Sequence, residues 1–358
     1  MKLDRRDIEL LRIAAKYRRL PPGVTGRLGF AALSDEISLL SAAGLVKVSR
    51  DGEHMRLSEA GCELLSRYGH ECDPGADKPY SNRSTLRRRL DVSSVALTAL
   101  RAGIDILPDN IDDLSTQPSF FPAFAFRDGE TNLLSAATCA GFGHWGDKGY
   151  ILQYVSPDRS GMYLSNELRQ LYNLSSIFSG GLNTPLAMVF AGESYMDIHK
   201  QLNSCAASNR HGKRGYKDYW DVYRISDMPI HLLSCDETGA IQLAIMRQPG
   251  YIAKIAKTAL GADWTPLDEG IPEADGHVRG SPLVIAADMD VRRVFRVCES
   301  ARGLGRPEVL VAALKGQIDG LYKNVLPRDG MAKLLCIDLP VLSDAFGKGF
   351  SLYSMEDK

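Results

Sequence analysis

Three carboxylates follow apolar runs in the second half of the chain and could together bind a divalent metal ion. Asp288 and Asp290 follow the apolar run 283–287, and Glu193 follows the apolar run 185–192. In open α/β sheets, ligands bind at the carboxyl ends of the strands, and carboxylate oxygens are the ligands that Mg²⁺ prefers. The pattern therefore defines a candidate metal site made of Glu193, Asp288 and Asp290.

The segment around Glu193 also resembles the strand-then-glutamate element of Toprim domains, in which a later D-x-D pair completes the metal site. That resemblance implies a Mg²⁺-dependent enzyme that nicks or relaxes DNA. In this chain Glu193 follows Gly192, whereas the glutamate of that family precedes the glycine. Asp290 is also well placed to be the N-cap of a helix that begins at Val291. We therefore expect a structural Asp290 and no catalytic residues, with the metal-dependent enzyme as the alternative.

Other signatures of catalysis or of cofactor binding are missing from the sequence. The seven histidines are scattered, and no two of them have the close spacing used by relaxases of the histidine-cluster type. His70-Glu71-Cys72 has no second Cys/His pair near it in sequence to complete a zinc site. The G-x-G at Gly141 and Gly143 lacks the following helix that phosphate binding needs, so we expect a turn between two strands there. No bound cofactor is expected.

Basic residues in the N-terminal part of the chain could contact nucleic acid. The candidate phosphate-binding residues are Arg18, Arg19, Lys47, Arg50, Arg56, Arg87, Arg88 and Arg89. Phosphate contacts of this kind give affinity without sequence information. The whole chain is nearly neutral, with 43 basic and 44 acidic residues, so a nucleic-acid site has to come from local separation of charge.

An N-terminal group of helices followed by a hairpin would position these basic residues. The apolar spacing predicts helices over 4–20 and 31–43, with a short helical segment between them. Strands over 45–48 and 55–57 flank Asp51-Gly52, which is a strong hairpin-turn dipeptide. The predicted order is thus helix, short helix, helix and hairpin.

Two motifs make a family resemblance specific. The segments 40–46 and 56–61 resemble the L-x-x-x-G-L-V and R-L-T-x-x-G signatures of winged helix-turn-helix DNA-binding domains. With the Arg-rich helix and the α/β region that follow, the chain is similar to the replication-relaxation family of plasmids and conjugative elements. The resemblance implies binding of duplex DNA, with the third helix in the major groove and the wing along the backbone. Because the helix 31–43 offers Asp35 and Glu36 on its outer face instead of base-reading side chains, we expect little sequence preference.

The chain is long enough for two or three domains. We expect residues 1–70 to form a winged helix-turn-helix, residues 71–124 a linker with an interaction helix, and residues 125–358 an α/β domain. That last domain should have a partly parallel sheet, because strand-like and helix-like runs alternate along it. The apolar positions from Ser84 to Ile104 predict a long helix that packs against the winged helix or pairs with a second copy in a homodimer. Residues 230–246 predict a hairpin.

Cysteine usage and hydropathy bear on the cellular location. Seven cysteines without a C-x-x-C pair indicate reduced thiols and a cytoplasmic protein, and the absence of a signal peptide or a long apolar run predicts no membrane contact. We expect a non-enzymatic DNA-binding protein of a mobile genetic element (plasmid, conjugative element or phage), whose α/β domain mediates assembly or recruits a partner. The alternatives are the metal-dependent DNA-nicking enzyme and a protein-interaction protein that does not bind DNA.

Overall fold

The computed structural model of the chain describes residues 3–73, 75–80, 82–107, 118–126, 139–156, 185–208, 228–266, 270–306, 308–326, 330–347 and 350–354. Helices and strands alternate through most of these residues, and the two larger sheets both contain parallel pairs. The fold is therefore of the mixed α/β kind that the sequence predicts.

The α-helices of six or more residues are α1 Arg5–Tyr17, α2 Pro22–Arg27, α3 Ala31–Ala42, α4 Glu59–Arg67, α5 Arg83–Arg101, α6 Tyr195–Ser208, α7 Glu237–Met246, α8 Tyr251–Leu260, α9 Val291–Gly303 and α10 Leu339–Phe346, and three short helical segments follow one another over residues 315–325. The strands are β1 Val46–Val48, β2 Met55–Leu57, β3 Ser119–Pro122, β4 Cys139–Trp145, β5 Lys148–Tyr154, β6 Leu186–Gly192, β7 Ile230–Ser234, β8 Trp264–Thr265, β9 His277–Val278, β10 Ser281–Ile285, β11 Val309–Leu314 and β12 Ala332–Ile337. None of the helices in the described ranges is both long and apolar enough to cross a membrane.

The N-terminal part of the chain has three helices, an antiparallel hairpin and a fourth helix, in that order. In the hairpin, Val46 of β1 lies opposite Leu57 of β2, and the turn contains Gly52 at a φ of 72°, a conformation that suits glycine. Helix α4 packs closely against the hairpin at Gly61, where a Cβ atom would lie 2.3 Å from the carbonyl oxygen of Leu45. The glycine that ends the second motif is thus required by the close approach of two backbones. We call α1 to α4 with β1 and β2 the N-terminal module.

The C-terminal half of helix α5 lies in the interior, between the N-terminal module and the first large sheet. All residues from Asp91 to Leu100 are buried. The helix contacts α1 and α2 on one side and β3, β4, β5 and α7 on the other. Of the two expectations for this helix, packing against the N-terminal helices is the one observed, and pairing with a second copy through Leu97 is excluded because Leu97 is fully covered by its own chain. Helix α5 thus packs against one apolar face of the first large sheet and shields it from solvent.

Strands β3 to β12 form two five-stranded sheets that meet at β7. The first has the order β3-β4-β5-β6-β7 and the second the order β12-β11-β10-β9-β8. Strands β5, β6 and β7 are parallel to one another, as are β10, β11 and β12. A backbone hydrogen bond of 3.2 Å from Leu232 N to Met289 O links β7 to the chain that follows β10.

Alternate residues of the first sheet face two different helical layers. Leu152 and Val189 belong to the apolar cluster that includes α5 and residues of α7. Ile151 and Met188 belong to a second cluster, which includes residues of α6, α9 and the inner face of the second sheet. Both faces are buried, as is usual for parallel strands joined by helices.

The glycine-rich segment around Gly141 and Gly143 lies within β4 and is not the predicted turn. A Cβ atom at Gly143 would lie 1.9 Å from the Trp145 ring, and one at Gly141 would lie 2.3 Å from the carbonyl oxygen of Phe121. Both glycines are therefore needed for packing inside the sheet. The turn between β4 and β5 contains Gly146, whose φ is 62°.

Residues 237–246 form helix α7, and the predicted hairpin is wrong. Asp236 begins the helix by accepting a hydrogen bond of 2.9 Å at Oδ1 from Gly239 N. Helix α7 packs against both the first and the second sheet, so it is apolar on almost every side. A short helix buried all round shows no helical periodicity, and its sequence cannot be distinguished from that of a buried strand.

The interior position of α5 can be tested by truncating Leu97. Leu97→Ala should lower the free energy of unfolding by about 2–5 kcal/mol, because a fully buried leucine leaves a cavity. Thr85→Ala, at an exposed position on the same helix, is the matched control and should change it by less than about 0.5 kcal/mol. Urea unfolding followed by circular dichroism measures both. A dimeric wild type that Leu97→Glu converts into an equally stable monomer would contradict this packing.

Candidate functional site

The predicted metal ligands do not form a metal-binding group. Glu193 is exposed at the end of β6, where its carbonyl oxygen accepts a hydrogen bond of 3.2 Å from Ser234 Oγ. Asp288 and Asp290 are buried where the two sheets meet, at 4% and 5% exposure. Across the part of the chain that the structure describes, no group of three or more His, Cys, Asp or Glu side chains is placed to hold a metal ion.

The carboxylate of Asp288 is bound by other protein groups on both oxygens. Its Oδ2 accepts a hydrogen bond of 2.8 Å from the hydroxyl of Tyr251. Its Oδ1 accepts one of 3.2 Å from Asp290 N and lies 3.5 Å from Nη2 of Arg293. The same guanidinium donates to Asp275 Oδ1 at 2.6 Å and to Ile285 O at 2.8 Å. The positive charge beside the Asp288 carboxylate is thus supplied by Arg293.

The charges of this cluster stabilise one another. Burial by itself would raise the pKa of Asp288, but Arg293 and then His231 hold that pKa below its ordinary value. Burial also raises the pKa of Asp275, in spite of its contact with Arg293. Burial opposes the charge of Arg293, but Asp288 and Asp275 outweigh it and raise the arginine's pKa. Arg293 is therefore a permanent cation that keeps Asp288 ionised.

Three side chains hold the backbone of residues 287–288 in place. His231 Nδ1 lies 2.9 Å from Asp288 O, and Gln242 Nε2 donates to the same oxygen at 3.0 Å and to Leu232 O at 2.9 Å. Gln317 Nε2 donates to Ala287 O at 2.9 Å. These contacts come from β7, from α7 and from the segment after β11, so that the cluster ties several elements together at the junction of the sheets.

Asp290 is a helix cap, as the sequence predicts. Its Oδ1 accepts a hydrogen bond of 3.1 Å from the backbone nitrogen of Arg293 in the first turn of α9. The cap directs α9 so that Arg293 points back toward Asp288. The D-x-D pair is thus accounted for by one ion pair and one cap.

Among the predicted phosphate-binding residues, Arg19 is enclosed within the protein. It is 1% exposed, and its guanidinium donates to the carbonyl oxygens of Ala76 and Lys78. The Tyr80 ring lies 4.7 Å from its Cζ. Burial lowers the pKa of Arg19 to about 10. Its assignment to DNA binding is therefore corrected, because DNA cannot reach it in this fold.

Arg18 and Arg56 are half-buried and bound to the same segment. Arg18 Nε donates to Asp73 Oδ2 at 2.8 Å, and its Nη2 contacts the other carboxylate oxygen. Arg56 Nη1 donates to the carbonyl oxygen of Asp77. We call residues 70–73 and 75–80 the strap, since this segment engages Arg18, Arg19 and Arg56 together.

The other predicted basic residues lie at two more open places. Lys47 and Arg50 are exposed on and just after β1. Arg87 is exposed near the start of α5, 3.6 Å from Asp91. Arg88 is half-buried, and Arg89 is half-buried with its guanidinium 4.0 Å from the centre of the Phe124 ring. Lys47, Arg50 and Arg87 are thus the most accessible of the predicted cations.

The outer face of α3 has little capacity for base recognition. Asp35 and Ser38 are exposed, Leu39 is 62% exposed, and Glu36 pairs with Arg6 at 3.5 Å. Arginine, lysine, asparagine and glutamine are the side chains that most often read bases in the major groove. The described part of this face offers none of them, in line with the sequence interpretation.

Sequence reasoning missed the partners of Asp288. Arg293 could have been suspected from its place three residues after the Asp290 cap, which puts it on the first turn of α9. Tyr251, Asp275 and His231 are distant in sequence and carry no motif, so only the fold brings them together.

Comparisons of the chain with protein-family models, with curated proteins and with solved structures gave no match.

The ion pair of Asp288 should appear in the pH dependence of stability. Asp288→Asn should lower the free energy of unfolding at neutral pH by roughly 3 kcal/mol, because the variant removes one of the negative charges that neutralise the buried Arg293 guanidinium. The pKa of Asp288 is lower in the folded than in the unfolded protein, so its contribution is complete above about pH 5. That contribution is lost as the pH falls through the pKa of Asp288 in the unfolded protein, near 3.8, toward its lower pKa in the folded protein.

Urea unfolding at a series of pH values measures this effect. The difference between wild type and Asp288→Asn should shrink as the pH falls through that window, whereas Asp344→Asn, at an exposed position, should match wild type throughout. A difference that is absent at neutral pH would contradict the stabilising role of the pair.

The cap assignment gives a second expectation that separates a structural role from metal binding. Asp290→Ala should lower the free energy of unfolding by about 1 kcal/mol through loss of the cap. Millimolar Mn²⁺ should leave the melting temperature of wild type unchanged, as thermal denaturation can measure. A rise with Mn²⁺ that disappears in Asp288→Asn, together with nicking of supercoiled plasmid, would instead support the metal-dependent enzyme.

Proposed function

We propose that the N-terminal module binds duplex DNA and that the protein is a non-enzymatic DNA-binding protein of a mobile genetic element. The order of three helices and a hairpin, with the close packing at Gly61, supports the resemblance to winged helix-turn-helix domains. In such domains the hairpin lies along the DNA backbone. The assignment to a mobile element rests on the resemblance to the replication-relaxation family.

The observation that carries the proposal is the placement of exposed cations on the hairpin. Lys47 and Arg50 are exposed at the position where a wing meets phosphates, and Arg87 is exposed on the helix that follows the module. Arg19 is excluded, and Arg18 and Arg56 are occupied by the strap. We therefore assign the phosphate contacts first to Lys47, Arg50 and Arg87.

Binding of this kind should show little sequence preference. Phosphate contacts position a protein on the duplex, and specificity comes from side chains that reach the base edges. The outer face of α3 presents Asp35, Ser38 and Leu39 instead of base-reading side chains. Affinity then depends on counterion release, which makes it steeply dependent on salt.

The rest of the chain would mediate assembly or recruit a partner. A homodimer stays part of the proposal, but its interface cannot include residues 91–100 of α5, which are buried within the chain. No catalytic group is assigned, because Asp288 and Asp290 are engaged with Arg293 and Tyr251. Mg²⁺ would be a cofactor only if the protein were the metal-dependent enzyme of the alternative proposal.

One observation favours the alternative in which the N-terminal module contacts a protein. Leu39 on α3 is 62% exposed and Val48 on β1 is 39% exposed. Apolar side chains of this size are better suited to a protein surface than to phosphates. The two functions therefore predict different results for substitutions on the hairpin and on α3.

A salt titration of DNA binding tests the proposal. Lys47→Ala and Arg50→Ala should each weaken binding to all duplex sequences about equally. Each should also reduce the slope of log affinity against log salt by roughly one, because one phosphate contact is lost. Fluorescence anisotropy with two unrelated duplexes measures both quantities. Lys323→Ala, an exposed lysine outside the module, is the matched control and should behave as wild type.

Leu39→Lys distinguishes the two orientations of α3. If α3 faces DNA, the new cation should tighten binding and steepen the slope by about one. An unchanged affinity would indicate that α3 faces away from DNA. Absence of binding by wild type at low salt would contradict the DNA-binding proposal, and a loss confined to one duplex sequence would contradict backbone-only contacts at the wing.

A further inference from the structure

A cavity of about 400 Å³ lies between helix α1, the chain that leaves helix α5 and the C-terminal segment 350–354. Small-molecule sites have volumes of about 300–1,000 Å³, so this cavity is large enough for a small ligand. Three buried isoleucines, Ile13, Ile104 and Ile106, give it an apolar lining. Arg12, which is half-buried, and Asp105, which is exposed, line it as well. The cavity is therefore apolar in its interior and charged toward solvent.

The backbone that follows α5 forms one side of the cavity. Just after the helix, Gly103 has a φ of 74°, which is the left-handed conformation of a helix C-terminus. The carbonyl oxygen of Asp105 then accepts a hydrogen bond of 2.7 Å from Phe120 N on β3. The hydroxyl of Tyr17 on α1 donates to Ile106 O at 2.9 Å. These contacts fix the segment both to the first sheet and to α1, so the cavity is formed by the folded chain itself.

Helix α1 and the C-terminal segment form the other sides. Glu9, Arg12 and Ile13 line the cavity together, because residues three and four apart share one face of a helix. Tyr353 lies across from them, and its hydroxyl donates to Glu9 Oε1 at 3.0 Å. The amide of Tyr353 donates to Arg101 O at 2.8 Å. Three parts of the chain that are distant in sequence are thus held around one space by hydrogen bonds.

Arg12 is the lining group that points most clearly to a ligand. Within the described ranges, no carboxylate or carbonyl oxygen accepts a hydrogen bond from its guanidinium. A guanidinium binds a carboxylate through two parallel hydrogen bonds, which are among the strongest that proteins form. A carboxylate group in the cavity would therefore supply the partner that Arg12 does not find in the described part of the chain.

Asp105 can bind a group of the opposite charge. Its Oδ1 accepts a hydrogen bond of 2.9 Å from Leu107 N, which orients the carboxylate. A carboxylate has about four lone-pair sites, so acceptor capacity is left for an ammonium group. The cavity thus offers a cation and an anion for the two ends of a charged head group.

The balance of charges restricts the class of ligand. One guanidinium and two carboxylates, those of Glu9 and Asp105, line the cavity. A phosphate ester with two negative charges would be repelled by the two carboxylates. A simple amine would leave Arg12 without its anion. A molecule with one carboxylate, one ammonium and an apolar body satisfies the charged groups and the isoleucines together.

We propose that this cavity binds a free α-amino acid with an apolar side chain. The carboxylate of the ligand pairs with Arg12, its ammonium group donates to Asp105, and its side chain lies against the three isoleucines. The site is distinct from the exposed cations of the hairpin, so it does not depend on whether the N-terminal module binds DNA.

Isothermal titration calorimetry of the full-length protein tests the proposal. The probes are L-valine, L-leucine, L-isoleucine, L-methionine and L-phenylalanine, and at least one should show saturable binding at micromolar to millimolar concentration. The tightest of them is then compared with its amide, which lacks the carboxylate, and with its N-acetyl derivative, which lacks the ammonium group. Each derivative should bind roughly tenfold more weakly or worse, because one hydrogen bond between charged groups is lost.

Two variants assign each end of the ligand to its residue. Arg12→Gln should weaken binding of the amino acid roughly tenfold and change binding of its amide little, because the amide has no carboxylate to lose. Asp105→Asn should weaken the amino acid to a similar extent and change the N-acetyl derivative little. Lys16→Gln, on α1 but outside the lining of the cavity, is the matched control and should bind as wild type.

Three results would overturn the proposal. The first is the absence of saturable binding by all five amino acids at millimolar concentration. The second is equal affinity for the amino acid, its amide and its N-acetyl derivative, which would mean that the charged groups do not recognise the ligand. The third is binding that survives both Arg12→Gln and Asp105→Asn, which would place the ligand elsewhere. The comparison of probes uses wild type alone, so it decides the matter even if a variant does not fold.

Discussion

The contact between Arg293 and Asp288 is the constraint on which the second half of the molecule depends. Strand β10 ends just before Asp288, helix α9 begins just after it, and β7 passes beside the same residues. An ionised carboxylate in this buried place would be very unfavourable by itself. Arg293, Tyr251 and the amide of Asp290 stabilise it, and His231 of β7 joins the first sheet to the same residue.

The same cluster gives the acidic pair at the end of β10 a structural role. A metal site and a buried ion pair use the same residue types, since both place carboxylates at the carboxyl end of a strand. What separates them is the neighbouring group. In this structure the neighbour is a guanidinium that also binds Asp275, whereas Glu193 is exposed at the end of β6.

Burial divides the N-terminal arginines into structural and available groups. Arg19 stabilises the strap from inside, because its two terminal nitrogens donate to the backbone carbonyl oxygens of Ala76 and Lys78 and the Tyr80 ring stacks on its guanidinium. Lys47 and Arg50 are exposed on the hairpin. Net charge cannot make this distinction, since a buried guanidinium and an exposed one count equally. The strap thus engages Arg18, Arg19 and Arg56, whereas Lys47 and Arg50 lie outside its reach and are exposed.

The sequence by itself determined the local elements whose signals are short-range. The turn at Gly52, the cap at Asp290 and the alternation of strands and helices follow from residue type and spacing. Tertiary structure decided the rest. Helix α7 is covered on almost all sides, so its pattern predicted a strand, and residues 91–100 of α5 are covered by their own chain instead of a second copy. The partners of Asp288 and of Arg19 are brought together only by folding, because burial and long-range contact leave no periodic signal in the sequence.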